Sequence, residues 1–155
     1  MNDKFFISLC WLLASQSQDE KTKLGAVIVG PDGDIKSTGW NGFPRGIDDS
    51  ILARQERPEK YYWFVHAEHN AILNAGRNGV KLKGTTLYCS AFPCHNCAQA
   101  IIQSGIIKVV YDEVLGGWSN SNNRSLDMFI EANIKTYLYY GKRITPKKFI
   151  NGEEK

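Results

Sequence analysis

Four side chains in the middle of the sequence carry groups suited to metal-dependent chemistry. His66 and Glu68 stand at the head of an apolar segment, and Cys94 and Cys97 form a C-x-x-C pair that begins 28 positions after the histidine. One imidazole nitrogen and two thiolates suit zinc, and three protein ligands leave the fourth tetrahedral position open, as in catalytic sites. We therefore predict that His66, Cys94 and Cys97 bind one Zn²⁺.

Glu68 has a separate role in this prediction. Residues two apart point to nearly opposite sides of a helix body, so His66 and Glu68 can share a site only at the first turn. Two thiolates and a neutral imidazole leave the ion with little net charge, which weakens its effect on the acidity of a water. A separate base is then needed, and we expect Glu68 to move the proton.

Each half of the pattern also has an ordinary explanation. A C-x-x-C alone is more often a structural zinc knuckle or a redox pair, and an H-x-E alone is close to chance. Here both occur in order, and each stands where a helix is predicted to begin, since Pro93 favours a first helical turn. Two helix N-termini would then face the ion and favour thiolates. H-x-E followed by P-C-x-x-C is the signature of zinc deaminases.

The elements that must position these residues alternate between helices and strands. An amphipathic helix is predicted over 4–16, and "LGAVIVG" and "IKSTGW" form a hairpin around "PDGD". Residues 41–61 form a long polar connection. After it the pattern predicts a helix begun by His66, a strand at 85–90, a helix begun at Pro93 and Cys94, a strand at 107–111, a loop over 116–123, a helix near 126–132 and a strand at 134–140. This alternation predicts neighbouring parallel strands with helices packed on the sheet.

The composition is that of an ordinary globular protein. The 155 residues predict one domain, with a core of about 4–140 and a C-terminal tail over 141–155. We expect a cytoplasmic protein, because no membrane span and no clear secretory signal stand out. The net charge of +3 is mild and scattered, which argues against a nucleic-acid partner. Cys10 and Cys89 lie in apolar segments and are predicted to be buried thiols.

Three segments carry a resemblance to a known family. They are "GWNGFPRGIDD", "HAEHNAI" and "FPCHNCAQAIIQSGIIKVVY". The sequence resembles the cytidine deaminase-like superfamily and, within it, the deoxycytidylate (dCMP) deaminases, over about 4–139. The resemblance implies a single-domain α/β/α sandwich, with a mixed central sheet of about five strands and helices on both faces. It also implies zinc-dependent hydrolytic deamination of dCMP to dUMP and ammonia, which supplies dUMP for thymidylate synthesis.

The same resemblance implies roles for individual residues. A water activated at the zinc attacks C4 of the pyrimidine, and Glu68 shuttles protons to N3 and to the departing amine. Asn41 holds the sugar 3′-hydroxyl, the Ala67 N–H holds the base carbonyl, and Phe92 and Trp118 lie beside the substrate. Two of these side chains have ordinary alternatives: Asn41 as a turn residue, and Trp118, which stands where the family usually carries a tyrosine, as a surface aromatic.

Regulation is a further implication of the resemblance. dCMP deaminases are typically homohexamers that are activated by dCTP with Mg²⁺ and inhibited by dTTP. The long connection over 41–61 is the predicted effector site, with contacts from Asn41, Gly42, Arg45, Gly46, Asp48 and Asp49. A solvated surface loop is the alternative for this segment.

Two other functions stay open at this point. One is a different zinc nucleobase deaminase, which acts on a free nucleoside or on a base in RNA or single-stranded DNA. The other is a non-enzymatic module that zinc stabilises. His69 and His95 are expected to be pocket or surface residues, since too few further ligands exist for a second zinc.

Overall fold

The computed structural model describes residues 2–144 and, beyond them, two short strands. The elements are α1 (Asp3–Ala14), β1 (Gly25–Val29), β2 (Ile35–Trp40), a 3₁₀ turn (Leu52–Gln55), α2 (Lys60–Trp63), α3 (Ala67–Arg77), β3 (Thr86–Ala91), α4 (His95–Gln103), β4 (Lys108–Glu113), α5 (Asn120–Glu131), β5 (Lys135–Leu138), β6 (Phe149–Ile150) and β7 (Glu153–Glu154). The rest of the predicted tail lies outside the described residues. No helix of the described part is long and apolar enough to cross a membrane.

The central sheet has five strands in the order β2-β1-β3-β4-β5. β1 pairs antiparallel with both β2 and β3, whereas β3, β4 and β5 are parallel to one another. Parallel neighbours need a crossover, and α4 and α5 provide the two crossovers. The predicted hairpin, the parallel strands and the mixed sheet are all confirmed.

Helices cover both faces of this sheet because successive strand residues point to opposite sides. On one face α1 packs its buried residues Phe6, Ile7 and Cys10 against Val27, Val29, Tyr88 and Val110. On the other face α3, α4 and α5 pack on Ala26, Ile28, Leu87, Cys89 and Val109. The predicted three-layer α/β/α arrangement is therefore confirmed, with a larger cluster on the α3–α5 side.

The contact between α3 and β2 is unusually close. Gly39 of β2 has no side chain, and a Cβ there would overlap the carbonyl oxygen of Ala67 and the backbone nitrogen of Ala71. The helix face that meets the sheet is built from buried alanines, which keeps its backbone near the strand. The first turn of α3 is thus positioned by direct backbone contact.

The start of α5 differs from the prediction. The segment 116–123 was expected to be a loop, but the helix begins at Asn120, six positions before the predicted start. Ser119 and Asn122 form a capping box, in which the Asn122 N–H donates to Ser119 Oγ at 3.2 Å and the Ser119 N–H donates to Asn122 Oδ1 at 3.0 Å. The prediction was wrong because serine and asparagine favour loops and helix caps alike.

Candidate active site

The three predicted metal ligands lie together at the starts of two helices. His66 is the N-cap of α3, Cys94 is the N-cap of α4, and Cys97 lies in the first turn of α4. His66 Nδ1 is 3.4 Å from Cys94 Sγ and 3.5 Å from Cys97 Sγ. All three donor atoms lie within 4.8 Å of one another, and no other described residues form such a group.

The close contacts within this group shift the pKa values of its members. The neighbouring Cys97, together with His66, lowers the pKa of Cys94 despite partial burial. The neighbouring Cys94, together with burial, raises the pKa of Cys97. The hydrogen bond to Cys94 also raises the pKa of His66 to about 9. Metal ligation requires a neutral imidazole and thiolates, so binding of a metal here is coupled to proton release.

The donor set fits Zn²⁺. Two sulfurs and one imidazole nitrogen are typical zinc ligands, and the positive ends of two helices favour the thiolate form. His66 and Cys94 line a cleft, whereas Cys97 is buried behind them. Three protein ligands leave a tetrahedral ion one position for water, which is the arrangement of a catalytic site.

Glu68 lies in the same cleft, in the first turn of α3. Only 4% of the residue is exposed, and this burial raises the pKa of its carboxyl, although the neighbouring His66 acts in the opposite direction. A buried carboxyl beside metal ligands is suited to accept and release a proton. The structure thus places Glu68 in one cleft with His66 and Cys94.

The cleft has a volume of about 740 Å³, and Asn41 is part of its wall. Asn41 is only 6% exposed. Its Oδ1 accepts from the Leu24 N–H at 2.9 Å, and its Nδ2 donates to Thr22 O at 2.8 Å and lies 3.4 Å from Asp19 Oδ2. A carboxamide offers two N–H donors and two acceptor lone pairs, so one lone pair of Oδ1 is left for another donor.

Of the other three predicted substrate contacts, Ala67, Phe92 and Trp118, only Phe92 is among the residues that line the cleft. Ala67 is the first residue of α3, where a backbone N–H has no acceptor within the helix. Phe92 lines the cleft and packs edge-on against Tyr111. The ring of Trp118 lies 4.9 Å from that of Phe92, but Trp118 is 45% exposed and is not among the residues lining the cleft. Its indole N–H donates to Asn123.

The charged residues of the predicted effector site do not form a cluster. Arg45 donates to Asn74 of α3 at 2.6 Å, Asp48 bonds within its own turn, and Asp49 accepts from Gln18 at 2.6 Å. Across the described residues, no ion pair joins the arginine to either aspartate. Two of these contacts join the predicted effector segment to other parts of the chain: Arg45 to α3, and Asp49 to the connection between α1 and β1.

Two glycines and two histidines complete the predicted set. Gly42 pairs with Val65 just before α3, and Gly46 has a φ of 82°, which a side chain would strain. His95 is exposed and its Nδ1 lies 2.9 Å from Ser121 Oγ, whereas His69 is partly buried on α3. Neither histidine joins the metal group.

Several residues that line the cleft were not predicted from the sequence. Arg57, Lys60 and Tyr61 come from the end of the polar connection, and Ser119, Ser121 and Asn122 come from the start of α5. The sequence signals were weak: a short charged and aromatic run, "RPEKYYW", and a polar stretch interpreted as loop. The first group comes from α2 and the turn before it, and the second comes from the N-cap and first turn of α5.

Comparison with solved structures supports the class of the fold. The chain superposes on the dCMP deaminase of cyanophage S-TIM5 in its apo form with a TM-score of 0.70 and 25% sequence identity, covering 86% of this chain and 94% of that one. The shared class is therefore an α/β deaminase domain.

Sequence comparison gives the family. Residues 1–113 match the family model described as "Cytidine and deoxycytidylate deaminase zinc-binding region", and the chain belongs to this family. It is 42% identical over 119 residues to a probable deoxycytidylate deaminase of Drosophila melanogaster, a match that covers 70% of this chain and 58% of that protein. It is 32% identical over 167 aligned positions to the deoxycytidylate deaminase of Enterobacteria phage T4, covering 79% and 86% respectively. The chain thus spans little more than half of some relatives.

Proposed function

We propose that this chain is a zinc-dependent hydrolase that converts dCMP to dUMP and ammonia, and so supplies dUMP for thymidylate synthesis. The observation that carries the proposal is the group of His66, Cys94 and Cys97 beside the buried Glu68, inside one cleft. The cleft volume of about 740 Å³ is within the range of small-molecule sites. The deoxycytidylate deaminases among its relatives support the choice of substrate.

Zn²⁺ held by the three ligands supplies the Lewis acidity that makes a water reactive at neutral pH. Glu68 would carry the first proton of the attacking water to N3 of the cytosine, and then the second proton, from the new hydroxyl at C4, to the amine that leaves as ammonia. Its burial keeps bulk water from competing for that proton. The Ala67 N–H, at the positive end of α3, donates to the carbonyl of the base.

The sugar and phosphate would contact the opposite wall of the cleft. The remaining lone pair of Asn41 Oδ1 accepts the 3′-hydroxyl, and Phe92 packs against the base. Arg57 lines the cleft, and no carboxylate within salt-bridge distance neutralises it among the described residues. Guanidinium groups bind phosphate well, so we assign Arg57 to the 5′-phosphate. Trp118 would support Phe92 from behind.

Loss of cytosine absorbance tests the proposed substrate. Purified protein loaded with zinc should deaminate dCMP faster than CMP, deoxycytidine or dCTP. The Arg57→Ala variant should lose activity on dCMP and keep its activity on deoxycytidine. Equal turnover of dCMP and deoxycytidine by the wild-type protein would contradict the monophosphate assignment, and deamination of tRNA or single-stranded DNA would favour the polynucleotide alternative.

The Glu68→Gln variant tests whether the chain is an enzyme at all. It should fold and keep its zinc, while its activity falls by roughly 10²–10⁴-fold, the usual contribution of a positioned acid or base. A zinc-stabilised binding module predicts no such loss, because the glutamate would be dispensable there. Zinc analysis of the His66→Ala, Cys94→Ala and Cys97→Ala variants tests each ligand, and full zinc retention would remove that residue from the site.

We further propose that activity is regulated by nucleotides in a homohexamer, with dCTP and Mg²⁺ activating and dTTP inhibiting. The family resemblance supports this, and Arg45 joins the effector segment to α3 through Asn74. The effectors must bind two conformers with different affinity in order to regulate. The dCMP curve should be sigmoidal alone, hyperbolic with dCTP–Mg²⁺ and shifted right by dTTP, and sedimentation should give a hexamer. Curves that neither nucleotide changes would contradict regulation.

A further inference from the structure

A buried ion pair joins the two segments that form the sugar side of the cleft. Lys60 Nζ of α2 lies 2.5 Å from Asp19 Oδ2, and the two side chains are only 10% and 3% exposed. Asp19 belongs to the connection between α1 and β1, whereas Lys60 ends the long polar segment. Removing two charges from water costs several kcal/mol per ion, so such a pair is weak evidence for a role in stability.

The carboxylate of Asp19 makes more contacts than the ion pair. Its Oδ1 accepts from the backbone N–H groups of Lys21 at 2.9 Å and Thr22 at 3.0 Å. Its Oδ2, which faces Lys60, also lies 3.4 Å from Asn41 Nδ2. The carboxylate therefore orders its own loop with one oxygen and faces Asn41 with the other.

These contacts fix which way the Asn41 carboxamide points. Its nitrogen faces two acceptors, Thr22 O and Asp19 Oδ2, and its oxygen faces a donor, the Leu24 N–H. A flipped amide would place oxygen against oxygen and N–H against N–H. The orientation shown leaves an acceptor lone pair, and no donor, for a group that enters the cleft.

We propose that Asp19 and Lys60 are positioning residues, which lock Asn41 as a hydrogen-bond acceptor for a substrate hydroxyl. Lys60 keeps Asp19 ionised and held beside Asn41, and Asp19 holds the amide nitrogen away from the substrate. This inference rests on the proposed function, because it needs a substrate that carries a sugar hydroxyl. Its consequence is that the pair affects recognition of the sugar, and the chemistry at the base is left intact.

Combining Asp19→Asn with Lys60→Met distinguishes an effect on the position of Asn41 from an effect on the stability of the fold. Asp19→Asn keeps an acceptor oxygen for the two backbone N–H groups and places an amide N–H where Oδ2 faced Asn41. Alone it leaves the buried ammonium of Lys60 unpaired and should destabilise the fold. Lys60→Met removes that charge at similar volume, so the double variant should unfold within a few degrees of the wild-type protein. In this double variant Asn41 Nδ2 loses its carboxylate acceptor and meets an amide N–H, so only Thr22 O and the Leu24 N–H still hold the carboxamide, and its orientation is fixed less strongly.

The readout is the ratio of kcat/KM for dCMP to that for its 2′,3′-dideoxy analogue, which lacks the 3′-hydroxyl. The double variant should lose roughly 3–10-fold on dCMP, the value of one hydrogen bond, and nothing on the analogue. Asn41→Ala should cause the same selective loss, and adding it to the double variant should cause no more, because the three residues act as one unit. Lys60→Arg, which keeps the charge, should retain the wild-type ratio.

A matched control lies between the same two segments. Lys21 and Glu56 form an exposed ion pair at 3.4 Å, and Lys21→Met with Glu56→Gln removes it without touching Asn41. This variant should keep the wild-type ratio. An unchanged ratio in the Asp19/Lys60 double variant, or an equal loss on both substrates, would overturn the positioning role while leaving the deaminase activity established. A wild-type protein inactive on both substrates would instead overturn the proposed function, and this inference with it.

Discussion

Replacing Gly39 by alanine should disturb the active site from the far side of a helix. The added Cβ would overlap the backbone of Ala67 and Ala71 and would lie 3.0 Å from Ala71 Cα. Carbon atoms in contact prefer about 3.5–4.0 Å, so α3 must retreat by roughly 0.5–1 Å. His66 and Glu68 flank Ala67 and would move with the helix.

The expected effects follow from that displacement. Overpacking a core typically costs about 1–3 kcal/mol, which lowers the melting temperature of a protein of this size by roughly 2–12 °C. A misplacement near 1 Å can reduce catalysis on the order of 100-fold. Gly39→Ala should therefore lose far more activity, measured well below its melting temperature, than its loss of stability explains.

Gly76→Ala is the matched control, because Gly76 lies on the same helix. A Cβ there meets no atom within 4 Å, and the backbone φ is not positive. Alanine should stabilise this position by about 0.5–1 kcal/mol, since it restricts the unfolded chain. The melting temperature and kcat/KM of the Gly39→Ala and Gly76→Ala variants are each compared with those of the wild-type protein. A Gly39→Ala protein as stable and active as wild type would refute the close approach of α3 and β2.

Two further predictions concern stability. Ser119→Ala removes the cap of α5 and should cost about 1 kcal/mol, a drop of roughly 2–4 °C in a thermal scan, and an unchanged midpoint would show that the capping box contributes nothing. Burial acts to raise the pKa of Asp19, but hydrogen bonds from Lys60 and from the Thr22 and Lys21 N–H groups outweigh it and hold the pKa below its usual value. The resulting stabilisation is complete above the ordinary aspartate pKa of about 4 and is lost as the pH falls through the lowered folded value. Urea unfolding between pH 3 and 6 should show a steeper acid loss for wild type than for the Asp19→Asn/Lys60→Met protein; equal slopes would contradict the lowered pKa.

The metal group could be predicted because its signals are local. His66 and Cys94 each stand at the start of a helix, and the neighbouring residues predict both helix starts. The alternation of helices and strands brings both helices to one face of the sheet. The strands and their directions followed from the same alternation. Periodicity and turn residues therefore sufficed for the fold class and for this part of the site.

The sugar side of the cleft could not be predicted in this way. Asp19 and Lys60 meet across a long stretch of sequence, and α2 is only four residues long, too short to show a helical period. The first turn of α5 carries cap residues whose composition is also that of a loop. Contacts that depend on two irregular segments folding against each other leave no pattern in either segment.

The residues of the cleft fall on two sides of the point where the family match ends. The metal group and Glu68 lie within residues 1–113, whereas Leu115, Gly116, Ser119, Ser121 and Asn122 lie beyond it. The metal group stands on helices that pack against the sheet, whereas the residues beyond position 113 come from a surface turn and a helix cap. Exchanging the turn and the start of α5 should therefore change the shape of one wall of the cleft while the metal group, Glu68, Asn41 and Arg57 stay in place.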